Sequence, residues 1–182
     1  MGANGDPSSP DESIRAAAAR AQGWDAEDVQ VGSVEKLDRD GCRFYRASNP
    51  AQLDASPLEF AVLPDGSVVG GDREAARQGA GALLKACGEA ADAEWWAQVV
   101  ARYAGTGGVV VDADAPSAIR RLRGAGIADH APSLRQDGDA TVLTYFSHDY
   151  ERSRTQAVTA TLDAAGALSV DAREIGAGAA GD

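Results

Sequence analysis

Apolar side chains recur along the chain with two different periods, and the changes of period mark its elements. Over residues 12–22, "ESIRAAAARAQ", Ile14, Ala17, Ala18 and Ala21 take the i, i+3, i+4, i+7 spacing of one helix face. Asp11 or Ser13 is placed to cap the start, and Gly23 ends the run. The period then drops to two in "VQVGSVEKL", where Val29, Val31 and Val34 alternate with polar residues as in a half-buried strand. "DRDG", Asp38 to Gly41, is a turn signal, and "CRFYRAS" reads as its hairpin partner. "NPAQLDASP" carries two prolines and is a loop. "LEFAVL" and "SVVG" flank Pro64-Asp65-Gly66 as the next hairpin.

The middle of the chain is helical. "DREAARQGAGALLKACG" lines Ala76, Ala80, Leu83, Leu84 and Cys87 along one stripe, with Gly88 as C-terminal cap. "DAEWWAQVVARYAG", capped by Asp92, sets Trp95, Trp96, Val99, Val100 and Tyr103 on a broad apolar face that reads as core, and Trp24 is expected to join it. "GGVVVD" is a short apolar strand, and "PSAIRRLRGAG" is a helix begun by Pro116. "SLRQDGDATVLTYFS" turns at Asp137-Gly138, and "QAVTATLDAAGALSVDAREI" is a last hairpin.

The two ends of the chain share this layout. "SIRAAAARAQGW" corresponds to "AIRRLRGAGI", "DRDGCRFYRAS" to "RQDGDATVLTYFS", and "FAVLPDGSVV" to "VTATLDAAGALSV". The expected fold class is therefore α+β, with two related helix-plus-antiparallel-hairpin units joined by the helical middle. In pattern each unit resembles the cystatin-type or PepSY-type arrangement of a helix packed on an antiparallel hairpin sheet. The expected boundaries are a leader at 1–11, a first unit at 12–71, the middle at 72–104, a second unit at 105–175 and a tail at 176–182. One continuous sheet holding all the strands is the alternative.

A chain of 182 residues suits one medium domain or two small ones, and 25% charged with 44% hydrophobic residues is ordinary for a globular protein. The bias toward Ala, Gly and Arg, with Lys only at positions 36 and 85, reads as GC-rich coding and a bacterial source. Net charge changes the picture more. At −11, the chain is poorly suited to nucleic acid or an anionic membrane surface, whereas a basic protein would be drawn to it; solubility alone is the competing explanation. No stretch approaches the ~18–20 apolar residues of a membrane span, and no signal peptide is read. The opening "MGANGDPSSPDES" resembles the segment after the lipidated cysteine of a bacterial lipoprotein, so a lipid anchor stays open beside a frayed terminus. Cys42 and Cys87, the only cysteines, fit one disulfide in an exported protein or two buried thiols in a cytoplasmic one, and the thiol reading is preferred. The compartment is thus cytoplasmic or cell envelope and periplasm.

Several motifs resemble catalytic ones and fall short. The strand ending in Asp112-Ala113-Asp114 resembles the first motif of haloacid-dehalogenase-type phosphatases. Pro116 stands where that family has threonine, and no later lysine is present, so capping and the helix dipole explain the aspartates. "GTGG", Gly105 to Gly108, lacks the Lys-Ser/Thr of a phosphate loop and precedes a strand. The "RRLR" cluster at Arg120–Arg123 reads as local ion pairing. In "FSHDYERSR", His148, Asp149, Tyr150 and Glu151 suit contact with a partner better than catalysis, because neighbours on a strand face opposite ways. The denser acidic spots are Asp25, Glu27, Asp28, Glu89, Asp92 and Glu94, of which a basic partner would meet Asp25, Glu27 and Asp28. No metal site, cofactor or catalytic set is expected. The leading expectation is a non-enzymatic protein-binding domain, in concrete form a bacterial immunity-type inhibitor of a basic toxin. The alternatives are an envelope lipoprotein or secreted scaffold, and a small enzyme with a pocket of His130, His148 and carboxylates.

Overall fold

The computed structural model describes residues 10–52, 54–89, 91–105, 108–112 and 115–176. Most of the expected leader and tail, and Asp114, lie outside them. The described chain is α+β, with four α-helices and two antiparallel sheets. It divides into two compact units, Met1–Gly79 and Ala80–Asp182. The stretch expected as a separate helical middle is shared between them, the boundary falling inside its first helix. Among the described residues no helix is long and apolar enough to cross a membrane.

In the first unit α1 (Pro10–Gln22) precedes β1 (Gln30–Ser33), β2 (Arg43–Ser48), β3 (Leu58–Val62) and β4 (Val68–Gly71), which form a meander in the order β1-β2-β3-β4. Helix α1 begins earlier than its hydrophobic period, because Pro10 suits a first turn and Asp11 and Glu12 face the positive end of the dipole. Its small side chains let it lie close to the sheet. Ile14 and Ala18 pack with Val29, Ala47, Leu58 and Phe60 in one core cluster. The register explains the grouping, since Ala47 pairs with Leu58 and Tyr45 with Phe60 on the same face. Burying Phe60 or Leu58 contributes on the order of 1.5–3 kcal/mol each. Trp24 belongs to this cluster and not to the aromatic face of the later helix, and its Nε1 donates to Gln52 Oε1 at 2.9 Å. The Gly23 kink turns the chain back toward α1, with the Trp24 amide donating to Ala19 O at 3.0 Å.

Helix α2 (Arg73–Cys87) is capped by Asp72, whose Oδ1 accepts from the Glu74 and Ala75 amides at 3.0 and 2.9 Å. Its expected stripe of Ala76, Ala80, Leu83, Leu84 and Cys87 is buried. In α3 (Ala93–Tyr103), Asp92 accepts from the Trp95 amide at 2.8 Å, and Trp95, Trp96, Val99, Val100 and Tyr103 are all buried, as the period of 3.6 requires.

The second sheet is built on the ten-residue β7 (Ala140–Asp149). One edge of β7 is shared: β6 (Ser133–Asp137) pairs along Ala140–Thr144, and β5 (Val109–Val110) pairs with His148 and Ser147. On the other edge come β8 (Arg154–Leu162) and β9 (Leu168–Glu174). Helix α4 (Pro116–Gly124) sends Ala118 and Leu122 into a second cluster with Val111 and Ala115, which Ile119, Phe146 and Ile175 complete. The expected aspartate cap of α4 is replaced by Ala115, which has no side-chain oxygen to offer.

Cys42 and Cys87, the chain's only two cysteines, are both disulfide-bonded, so the preferred buried-thiol reading is corrected. Both are buried, as thiols would also be, and burial read from sequence does not distinguish the two states.

Candidate functional site at the tip of a hairpin

Strands β7 and β8 pair without interruption from Thr141↔Leu162 to Asp149↔Arg154, leaving residues 150–153 as the connection. That connection carries Tyr150 and Glu151, and the end of β7 that leads into it carries His148 and Asp149. Asp149 Oδ1 accepts the Arg152 amide at 3.0 Å, closing the turn from inside, and the Arg152 guanidinium lies 3.5 Å from Asp149 Oδ2. The donated amide, and then the nearby Arg152 charge, hold the Asp149 carboxyl below the usual aspartate range. Ser153 takes φ 51°, a left-handed conformation uncommon outside glycine, asparagine and aspartate. Arg121 of α4 clamps it, donating to Ser153 O and, at 3.3 Å, to Ser153 Oγ.

His148 sits beneath the tip, 3% exposed, with Nδ1 hydrogen-bonded to Thr155 Oγ1 at 2.9 Å. The pair is set by register, since His148 and Thr155 lie directly opposite on β7 and β8. Tyr150 stands on the imidazole edge-to-face, with ring centroids 4.7 Å apart and planes at 89°. The tyrosine is nonetheless 57% exposed. Val109, paired with His148 across the β5–β7 ladder, is 50% exposed. Gly108 makes that approach feasible: its φ is +81°, and a Cβ there would meet His148 O at 2.5 Å.

Of the four hairpin candidates, then, Tyr150 and Glu151 are presented to solvent, Asp149 is engaged in the turn and His148 is structural. Asp25, Glu27 and Asp28 form a 3₁₀ turn region of the first unit. Asp25 spends its side chain on that turn, accepting the Glu27 amide at 3.3 Å, and all three are exposed. His130 is half-buried in the loop after α4, beside Asp129, whose Oδ1 accepts the Ala131 amide at 3.1 Å. Asp112 is exposed at the end of β5. Among the described residues no group of three or more His, Cys, Asp and Glu side chains could hold a metal ion.

Sequence reasoning missed the Arg121 clamp, the exposure of Val109 and the His148–Thr155 bond. The "VVV" run gave a signal of burial that holds for Val110 and Val111 but fails for Val109, which lies at the strand's open end. Arg121 stood out only as one member of a basic cluster. No known protein family, curated protein or solved structure matches the chain.

Proposed function

We propose that this chain is a non-enzymatic protein-binding domain that takes a basic protein partner, in its most concrete form a bacterial immunity-type inhibitor covering a toxin. The observation that carries the reading is Tyr150: a 57%-exposed aromatic held in place on a turn braced by Asp149, Arg121 and His148. An aromatic side chain already ordered before binding loses little entropy on contact, which is how interface hot spots gain their effect. The net charge of −11 supplies attraction toward a basic partner. In the same reading the two helix-and-sheet units are related halves of the cystatin or PepSY pattern, each a helix followed by an antiparallel meander.

The test is capture of basic proteins from the host's own fractions on immobilised protein, washed at low and at high salt, with wild type beside Tyr150→Ala. A single basic protein retained stoichiometrically, released by salt and held at least about tenfold more weakly by Y150A, is the expected result. Folding is little affected, because the substitution removes an exposed ring and a single aromatic contact of about 0.5–1.5 kcal/mol. Equal retention by the variant would remove the tip from the interface.

A second reading, an envelope lipoprotein or secreted scaffold, is favoured by one observation: both cysteines are oxidised. Disulfides persist in oxidising compartments. Two free thiols in protein recovered from its native compartment would count against that reading and leave the first intact. An enzyme built on the hairpin is disfavoured, because His148 is bonded to Thr155 and Asp149 to the Arg152 amide.

A further inference from the structure

Among the described residues strand β9 ends its sheet, pairing with β8 on one side only. It is also the least protected of the sheet edges. β1 and β4 have four residues each, β4 ends in two glycines of positive φ, and β5 has two residues. β6 has five, and its Arg135 is paired with its own Asp137 at 2.8 Å. β9 runs seven residues, without glycine or proline, and Asp171 to Glu174 are all exposed. Unprotected edges of this length pair with other strands.

The phase of β9's main chain is fixed by its pairing with β8. The Ile175 amide donates to Thr155 O at 2.8 Å, directly across the ladder. In an antiparallel ladder the bonded positions alternate, so Arg173, Asp171 and Ser169 turn their main-chain groups toward β8. Val170, Ala172 and Glu174 turn theirs outward, to the open edge, whereas Leu168 N lies against Gly81 of α2.

Charge then selects the occupant. Asp171 and Arg173 lie two residues apart, hence on one face of the strand. Among the described residues neither takes part in an ion pair, whereas Glu174 is 3.6 Å from Arg154. We propose that β9 pairs antiparallel with β9 of a second copy of this chain, about a two-fold axis through Ala172. In that register the Ala172 amide of each copy donates to Ala172 O of the other, and Val170 bonds with Glu174, all of them outward-facing positions. Asp171 then falls opposite Arg173 of the second copy, twice. These are non-hydrogen-bonded pairs, in which Cα atoms approach to ~4.5 Å and side chains are nearest. Shifting the axis to Asp171 keeps the main-chain bonds but sets aspartate against aspartate, which is destabilising. Backbone phase and charge thus agree on one register.

The experiment is sedimentation velocity of the full chain from about 1 to 500 μM at about 150 mM salt, where repulsion between the two acidic copies is screened beyond ~8 Å. Wild type is expected to form a concentration-dependent dimer. D171R and R173D each place like charges opposite one another and are expected to weaken dimerisation about tenfold or more. An equimolar mixture of the two single variants brings arginines against aspartates and is expected to restore the dimer, as is the double exchange D171R/R173D on its own. Because Asp171 to Glu174 are exposed, these variants keep the fold, which far-ultraviolet circular dichroism checks. A wild type monomeric throughout overturns the proposal, as does a dimer that the single variants leave unchanged or that the mixture fails to restore.

Discussion

In the β3–β4 hairpin the Leu63 amide donates to Ser67 O at 2.8 Å and the Gly66 amide to Leu63 O at 2.9 Å. In the β8–β9 hairpin the Asp163 amide donates to Ala167 O and the Gly166 amide to Asp163 O, both at 3.0 Å. The two turns carry the same pair of hydrogen bonds, and each places glycine fourth, at φ 84° and 90°. Beyond the turns the two hairpins part. β4 runs only to Gly70 and Gly71, at φ 114° and 124°, and gives way to α2 after Asp72, whereas β9 continues regularly to Glu174. The turn is a local property of five residues; the fate of the strand behind it is decided by what its neighbours leave room for. At Gly70 they leave none, because a Cβ would lie 2.2 Å from Glu59 O and 2.8 Å from Phe60 Cα.

The largest effect expected from breaking this comparison is therefore at that glycine. Gly70→Ala adds left-handed strain to a collision with the main chain of β3, which cannot step aside without losing its pairing to β2. Destabilisation of about 3 kcal/mol or more is expected in urea unfolding. A loss under about 1 kcal/mol would mean that β4 has freedom the structure does not give it.

The turns themselves come next. Gly66→Ala and Gly166→Ala both ask alanine to adopt a left-handed conformation, at about 1–2 kcal/mol. A Cβ at Gly66 meets nothing within 4 Å, and at Gly166 it reaches Lys85 Cδ at 3.4 Å, ordinary contact with a flexible side chain. The two losses should agree within about 0.5 kcal/mol in parallel unfolding experiments, because only the shared strain is at issue. Unequal losses would show that the two turns are alike in hydrogen bonding alone.

The same contrast separates what the sequence discloses from what it withholds. Pro64-Asp65-Gly66 and Ala164-Ala165-Gly166 announce their turns, because the need for positive φ falls on one residue and glycine answers it. The stripes of α2 and α3 are legible for a related reason, since a helix face is a matter of spacing within one segment. The His148–Thr155 bond depends on register across a hairpin, so it has no local signature. Trp24 departs from its expected place for the same cause: aromatic character states that a side chain is buried and is silent on where. At the candidate site, Tyr150 and Glu151 are legible as loop residues, whereas the bracing by Arg121 comes from a separate helix.

The smallest effect sharpens the comparison at its acidic residues, where two turns hold a carboxylate by different means. Asp65 Oδ1 accepts the Ser67 hydroxyl at 2.6 Å and the Ser67 amide at 2.9 Å, and the hydroxyl is the larger cause of its lowered pKa. For Asp149 the larger cause is the Arg152 amide, which Arg152→Ala leaves in place. A carboxylate whose pKa is lower in the folded chain contributes stability fully above the unfolded value, and that contribution is lost as pH falls through the lower, folded one. Both turns should thus be at full strength at neutral pH and loosen only in acid, below about pH 4. In carbon-detected NMR titration both carboxyls are expected to show midpoints below that of aspartate in a free peptide. Ser67→Ala should move the Asp65 midpoint back toward the ordinary value, while Arg152→Ala should leave most of the Asp149 depression in place. If the arginine substitution restored Asp149 fully, the tip would be held by charge instead of by its main chain. Its bracing would then weaken with salt, and the fixed geometry that makes Tyr150 a candidate contact would be lost at high ionic strength.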